Sequence, residues 1–268
     1  MMKQNTEKGY WDIITYTAGK VEEKIKCWMP GVRPPRSERR RVANIKKRLQ
    51  NEQNSSRKLA RYLNANFNKT GWLIGLDYSP SGMKRIRARS KKIQETRKKN
   101  GESNDSAVDE RELCEYLAAG QELSNFLKRV RRECNKQGIV FKYIAVTSDR
   151  DGRAKEKVRV HHHLVVNADV MEICKTKWTL GGFDYKNLHN EPDYTPLAVY
   201  LVEQVRWILN ANAYTSSQNL IRPAAKVGEG RNGSELRIPR GAELLHRSEY
   251  QPGRAQYIRY VRATARLE

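Results

Sequence analysis

The chain has 268 residues, and its 52 Lys and Arg against 30 Asp and Glu give a formal charge of +22. That balance attracts polyanions and argues against basic protein surfaces as partners, so nucleic acid is the expected partner. No apolar run approaches the ~18 residues of a membrane span, and no basic amphipathic helix ends in an apolar anchor. The N-terminus lacks a signal-peptide stretch, so a cytoplasmic protein without membrane contact is expected. Cys27, Cys114, Cys134 and Cys174 form no CxxC pair, and they read as reduced packing residues rather than zinc ligands.

In chain order, Tyr10 to Pro35 reads as a strand-and-loop segment, broken by Pro30-Gly31 and Pro34-Pro35. The basic run Arg36 to Arg41 follows, then a helix from about Val42 to Asn66. Trp72 to Tyr78 reads as a buried strand ended by Pro80 and Gly82. Lys84 to Asn100 is dense in cations and shows no clear period. It reads as a solvated, mobile loop, and Arg85, Arg87, Arg89, Lys91 and Lys92 are expected contacts to a DNA backbone. Asp109 to Gln137 is the best helix, with Leu113, Tyr116, Leu117, Leu123, Phe126, Leu127 and Val130 on one face and Gly138 as its stop. Ile139 to Thr147 and Val158 to Asn167 form a predicted hairpin. A short helix from Met171 to Trp178 and a short strand from Phe183 to Leu188 come next. Thr195, as cap, and Pro196 open a helix expected to run to about Asn210. The tail is basic and irregular, with Leu236, Ile238, Leu244 and Leu245 as its predicted buried points.

This order predicts an α+β fold with a mainly antiparallel central sheet and helices on one face. The expected division is an N-terminal segment over 1–70, a core over 71–212 with a basic insertion at 84–106, and a basic C-terminal extension over 213–268.

Three of the five histidines are consecutive, His161, His162 and His163, within a run of strand-forming residues. Side chains alternate along a strand, so His161 and His163 share a face and His162 takes the other. Two neutral imidazoles one pleat apart can hold one ion and leave room for oxygen ligands. That suits Mg²⁺ or Mn²⁺ acting on a phosphate better than a closed structural zinc. Arg159, one pleat earlier, is expected to contact DNA. Tyr200 lies on the helix after Pro196. A phenol is a poor nucleophile unless it is placed in line with an activated phosphate. Alone, Tyr200 would be a core aromatic; beside a metal-bound phosphate it can attack. Trp72, Tyr78, Trp207 and Tyr214 are mostly packing residues, with base stacking as the alternative.

These pieces in this order resemble the HUH (His-hydrophobe-His) rolling-circle replication initiators, the phage and plasmid type related to filamentous-phage gene II proteins. The resemblance rests on Leu73 to Tyr78, on Arg159 to Val166, and on Trp178 to Gly181. It rests also on Ala198 to Tyr200, on Ser217 to Pro223, and on Asn64 to Phe67. It implies a metal-dependent endonuclease that nicks single-stranded origin DNA with Tyr200, forms a 5′-phosphotyrosine and later rejoins strands. His161 and His163 would bind the ion, and a host helicase would be a separate partner, since no P-loop pattern is present. Two departures stand out. The family has Glu as third ligand where this chain has Ser148, which leaves Asp149 as the expected ligand, with Asp77 as the alternative. The family favours Lys shortly after the tyrosine, where this chain has Glu203. The competing expectations are a catalytically degenerate DNA-binding protein of the same fold, or a related single-strand transposase or relaxase.

Overall fold

A computed structural model describes residues 9–32, 51–67, 71–102, 109–150, 156–188, 191–204 and 214–263. The basic run Arg36 to Arg41, Trp207 and the expected helix beyond Gln204 lie outside them. In chain order the elements are β1 (Gly9–Ala18), β2 (Val21–Pro30), α1 (Asn51–Asn66), β3 (Trp72–Leu76), α2 (Pro80–Lys99) and α3 (Glu110–Lys136). Then come β4 (Tyr143–Arg150), β5 (Lys157–Val166), a 3₁₀ turn (Ala168–Val170), α4 (Met171–Lys177), β6 (Phe183–Asn187) and α5 (Thr195–Glu203). Four short strands close the chain: β7 (Thr215–Ser216), β8 (Lys226–Gly230), β9 (Glu243–Arg247) and β10 (Gln256–Val261). The fold is α+β with two antiparallel sheets, not one central sheet.

The chain forms two compact units. The first joins Met1–Asn68, Pro192–Thr195 and Ile221–Glu268. The terminal segments, expected as separate pieces, share one sheet of order β8-β1-β2-β10-β9. β1 and β2 form a hairpin turned at Gly19, whose φ of 58° is one that side-chain-bearing residues rarely adopt. α1 packs Leu59 and Leu63, one turn apart, into the interior. On the same helix Arg61 pairs at 2.8 Å with the buried Glu23 of β2. Leu236, Ile258 and Tyr260 form a small core. Leu236 is buried as expected, whereas Leu244 is 45% exposed, because β9 is an edge strand. The cap of α5 also differs: Asp193 accepts hydrogen bonds from the Thr195 N–H and hydroxyl, so Thr195 is inside the helix rather than capping it.

The second unit, Lys69–Glu191 and Pro196–Leu220, holds the sheet β6-β3-β5-β4-β7. Ile74, Leu76, Leu164 and Val166 on one sheet face pack with Ile86 of α2 and Phe126 and Val130 of α3. The expected mobile loop over Lys84 to Asn100 is instead most of α2. Ser79 caps that helix by accepting the Gly82 N–H, and Pro80 occupies the first turn. Met83, Ile86 and Ser90 bury one narrow stripe; Lys84, Arg85, Arg87, Lys91 and Lys92 are exposed, and Arg89 and Arg97 are half-buried. α3 runs as expected, capped by Asp109 and stopped at Gly138 (φ 68°), though Leu117 is exposed.

Candidate active site

β5 lies between β3 and β4. Its alternation is strict: Val160, Leu164 and Val166 enter the core with the helices, and His162 goes with them. His162 is fully buried. Its Nε2 lies 2.7 Å from the Tyr78 hydroxyl and its Nδ1 3.0 Å from the Thr147 hydroxyl. Burial lowers its pKa to about 3, and His161 and His163 add to the effect, so it is neutral at ordinary pH. Tyr78, buried and bonded to this imidazole, is a structural residue and not a stacking platform.

The opposite face carries Arg159, His161 and His163. With Tyr200 and Gln204 they line a cavity of about 590 Å³. The His161 and His163 Nε2 atoms are 3.1 Å apart. Two nitrogens each about 2.1 Å from one ion, at right angles, are about 3.0 Å apart, so the pair has the spacing of neighbouring ligands. His161 Nδ1 lies 3.0 Å from the Arg159 carbonyl oxygen. A carbonyl only accepts, so Nδ1 carries the proton and Nε2 keeps its lone pair, the tautomer that metal binding requires. The His163 ring meets the Tyr200 ring edge-on, with centroids 5.6 Å apart. Burial, helped by His161, lowers the His163 pKa to about 4.

The cavity floor is open because Gly75 sits in the middle of β3, paired with His163 on one side and Asp184 on the other. Asp184 and Asp77 both line the cavity, as do Lys186 and Arg150. Asp184, Lys186 and Gln204 were not legible as site residues in the sequence; the β3–β6 register brings the first two here. Gln204 is 1% exposed, its amide approaches His163, and its Oε1 makes no well-formed hydrogen bond.

The expectation for Asp149 is corrected. Ser148 pairs with His161 across the β4–β5 ladder, so Asp149, one residue on, turns to the helix face, and the register shifts between Ser148 and Arg150. There Asp149 lines a separate cavity with Glu112, Tyr116 and Lys157. Ser148 is fully buried and donates to the Gln204 carbonyl oxygen at 3.2 Å, which ties α5's C-terminal end to β4. Among the described residues no group of three or more His, Cys, Asp and Glu is placed to hold a metal ion. Asp77, the alternative expected ligand, does line the histidine cavity, and the Gln204 amide beside His163 is a further oxygen there.

The basic residues of α2 divide. Arg85 and Arg89 both pair with the buried Glu122, at 2.9 and 3.2 Å, so they first serve to neutralise a core carboxylate. Arg87 is 3.9 Å from Glu115. Lys91 and Lys92 are exposed. Only Arg159 of the expected DNA contacts lines the histidine cavity, where its guanidinium is held at 3.1 Å by the Tyr78 carbonyl oxygen.

No protein-family model, curated protein or solved structure matches this chain. No helix among the described residues is long and apolar enough to cross a membrane.

Proposed function

We propose that the protein is a metal-dependent nicking and joining endonuclease of the HUH type, acting on single-stranded DNA at a replication origin, with Tyr200 as nucleophile. One observation carries the reading: two imidazole nitrogens with the spacing of neighbouring ligands open into the same cavity as a tyrosine ring. His161, His163 and Gln204 would hold Mg²⁺ or Mn²⁺, which when bound neutralises charge on the scissile phosphate and polarises its oxygen. Arg159 and Lys186 line the same cavity and supply positive charge for the phosphate. Lys186 stands in for the lysine that Glu203 displaces in this family's pattern. The Tyr200 hydroxyl gives up its proton as its oxygen bonds to phosphorus, the bond to the 3′ oxygen breaks, and that oxygen takes up a proton and leaves as a hydroxyl. The reverse reaction rejoins strands, because the phosphodiester energy stays in the phosphotyrosine. A host helicase is the partner that would supply unwinding, and the cytoplasm is the compartment where both would meet DNA.

The test uses a 3′-labelled pool of randomised single-stranded oligonucleotides with Mn²⁺. The wild-type chain forms a covalent adduct that survives denaturation, and Tyr200→Phe forms none. Normal DNA binding with no adduct in either protein would favour the second reading, a DNA-binding protein that has lost catalysis. The replacement of the family's Glu by Ser148, which is engaged with Gln204, is the feature that favours that reading.

A further inference from the structure

The long helix α3 turns one stripe of side chains outward: Gln121, Ser124, Lys128, Arg131 and Asn135. Their spacing of three, four, three and four residues keeps them on one side of the helix, and all five are polar or basic and solvent-exposed. Three surface hollows run along this stripe in sequence. Ser124 and Lys128 line both the first and the second, and Arg131 lines both the second and the third. Among the described residues no carboxylate lines any of the three. The first also receives Lys92 from α2, beside Arg89 and Arg97, whose charges are met by Glu122 and by Glu102 and Glu110. Lys92, Lys128 and Arg131 form no ion pair among the described residues.

From these features we infer that the α3 stripe is a track for the backbone of duplex DNA, a binding surface distinct from the histidine cavity. At about 1.5 Å per residue, the stripe from Gln121 to Asn135 is about 21 Å long, which matches the axial length of roughly six base pairs. Cations that have no carboxylate partner among the described residues, interleaved with hydroxyl and amide groups, are donors from which phosphate oxygens accept. Its two aromatic neighbours, Phe141 and Tyr143, are buried. Among the described residues the lining offers no exposed ring on which unpaired bases can stack, which favours a phosphate ladder over a single strand. Binding there would position DNA without reading its sequence.

The experiment measures binding of the full chain to a labelled 20-base-pair duplex and to the matching single strand by fluorescence anisotropy across a salt series. The variant Lys92→Gln/Lys128→Gln/Arg131→Gln keeps side-chain length and removes three charges from exposed positions, and a circular-dichroism melt checks its fold. The expected result is a fall of roughly tenfold or more in duplex affinity at about 0.1 M salt. The slope of log K against log salt shrinks by about 2–3, at about 0.9 for each phosphate that no longer has a cation beside it. Binding of the single strand changes by less than about threefold. An unchanged duplex affinity and slope would overturn the inference, and so would an equal loss for the single strand. The readout is binding alone, so a chain that forms no tyrosine adduct still tests the track.

Discussion

The two faces of the β6-β3-β5-β4-β7 sheet put the same side chain to opposite uses. On the helix face His162 is sealed among Tyr78, Thr147 and Trp178, with both ring nitrogens engaged. On the other face His161 and His163 leave their Nε2 atoms pointing at each other across a cavity. Three identical residues in a row thus include one locked into the core and two whose Nε2 atoms face a cavity. The pleat decides which is which, since each step along a strand reverses the face.

Substitutions can separate the two roles. The largest expected effect is on the open face: His161→Ala or His163→Ala lowers adduct yield by roughly 100-fold or more, as loss of a ligand should. The same variants lose the thermal stabilisation that Mn²⁺ gives the wild type, and a retained shift would disconnect these residues from the metal. Gln204→Ala comes next, with Mn²⁺ affinity down by roughly tenfold in a calorimetric titration. Unaltered affinity would remove the amide from the ligand set. On the sealed face His162→Ala leaves two buried hydroxyls without their partner and opens a void. It costs about 3 kcal/mol and lowers Tm by roughly 6–12 °C, with adduct formation per folded molecule retained. If activity fell while Tm held, the contrast between the faces would fail.

The smallest effect concerns Asp149, also on the helix face. Burial raises its pKa to about 6; Glu112 pushes the same way, against Arg150 and Lys157. A carboxyl group raised in the folded state contributes stability below its unfolded pKa of about 4, and that contribution is lost as pH rises through about 6. Asp149→Asn carries no charge at any pH. Its Tm should therefore match the wild type near pH 4 and exceed it by roughly 5–10 °C at about pH 7.5. Equal melting curves at both pH values would show that the carboxylate is not strained.

How far the sequence revealed this depends on the range of the interaction concerned. The histidine alternation is a nearest-neighbour property, and it was readable from three letters and their flanks. The long helix α3 was readable too, from its cap, its stop and its repeated apolar face. Asp149 was misplaced because its face depends on where Ser148 falls in a ladder with His161, which no local pattern encodes. α2 was missed because its buried stripe is only Met83, Ile86 and Ser90, hidden among cations that suggest a loop. The pairing of β2 with β10 joins residues more than two hundred positions apart, so neither strand signals the other. Gln204 gave no signal, since a glutamine becomes a candidate ligand only through what surrounds it.

Gly75 has a consequence of its own. A methyl group placed there would meet only the Asp184 Cβ, at 3.7 Å, an ordinary contact. The strand would accept a bulkier residue without breaking, yet that residue would stand in the hollow between Asp184 and His163. The room for a guest is thus set by a single omitted side chain, and its size can be changed without rebuilding the wall around it.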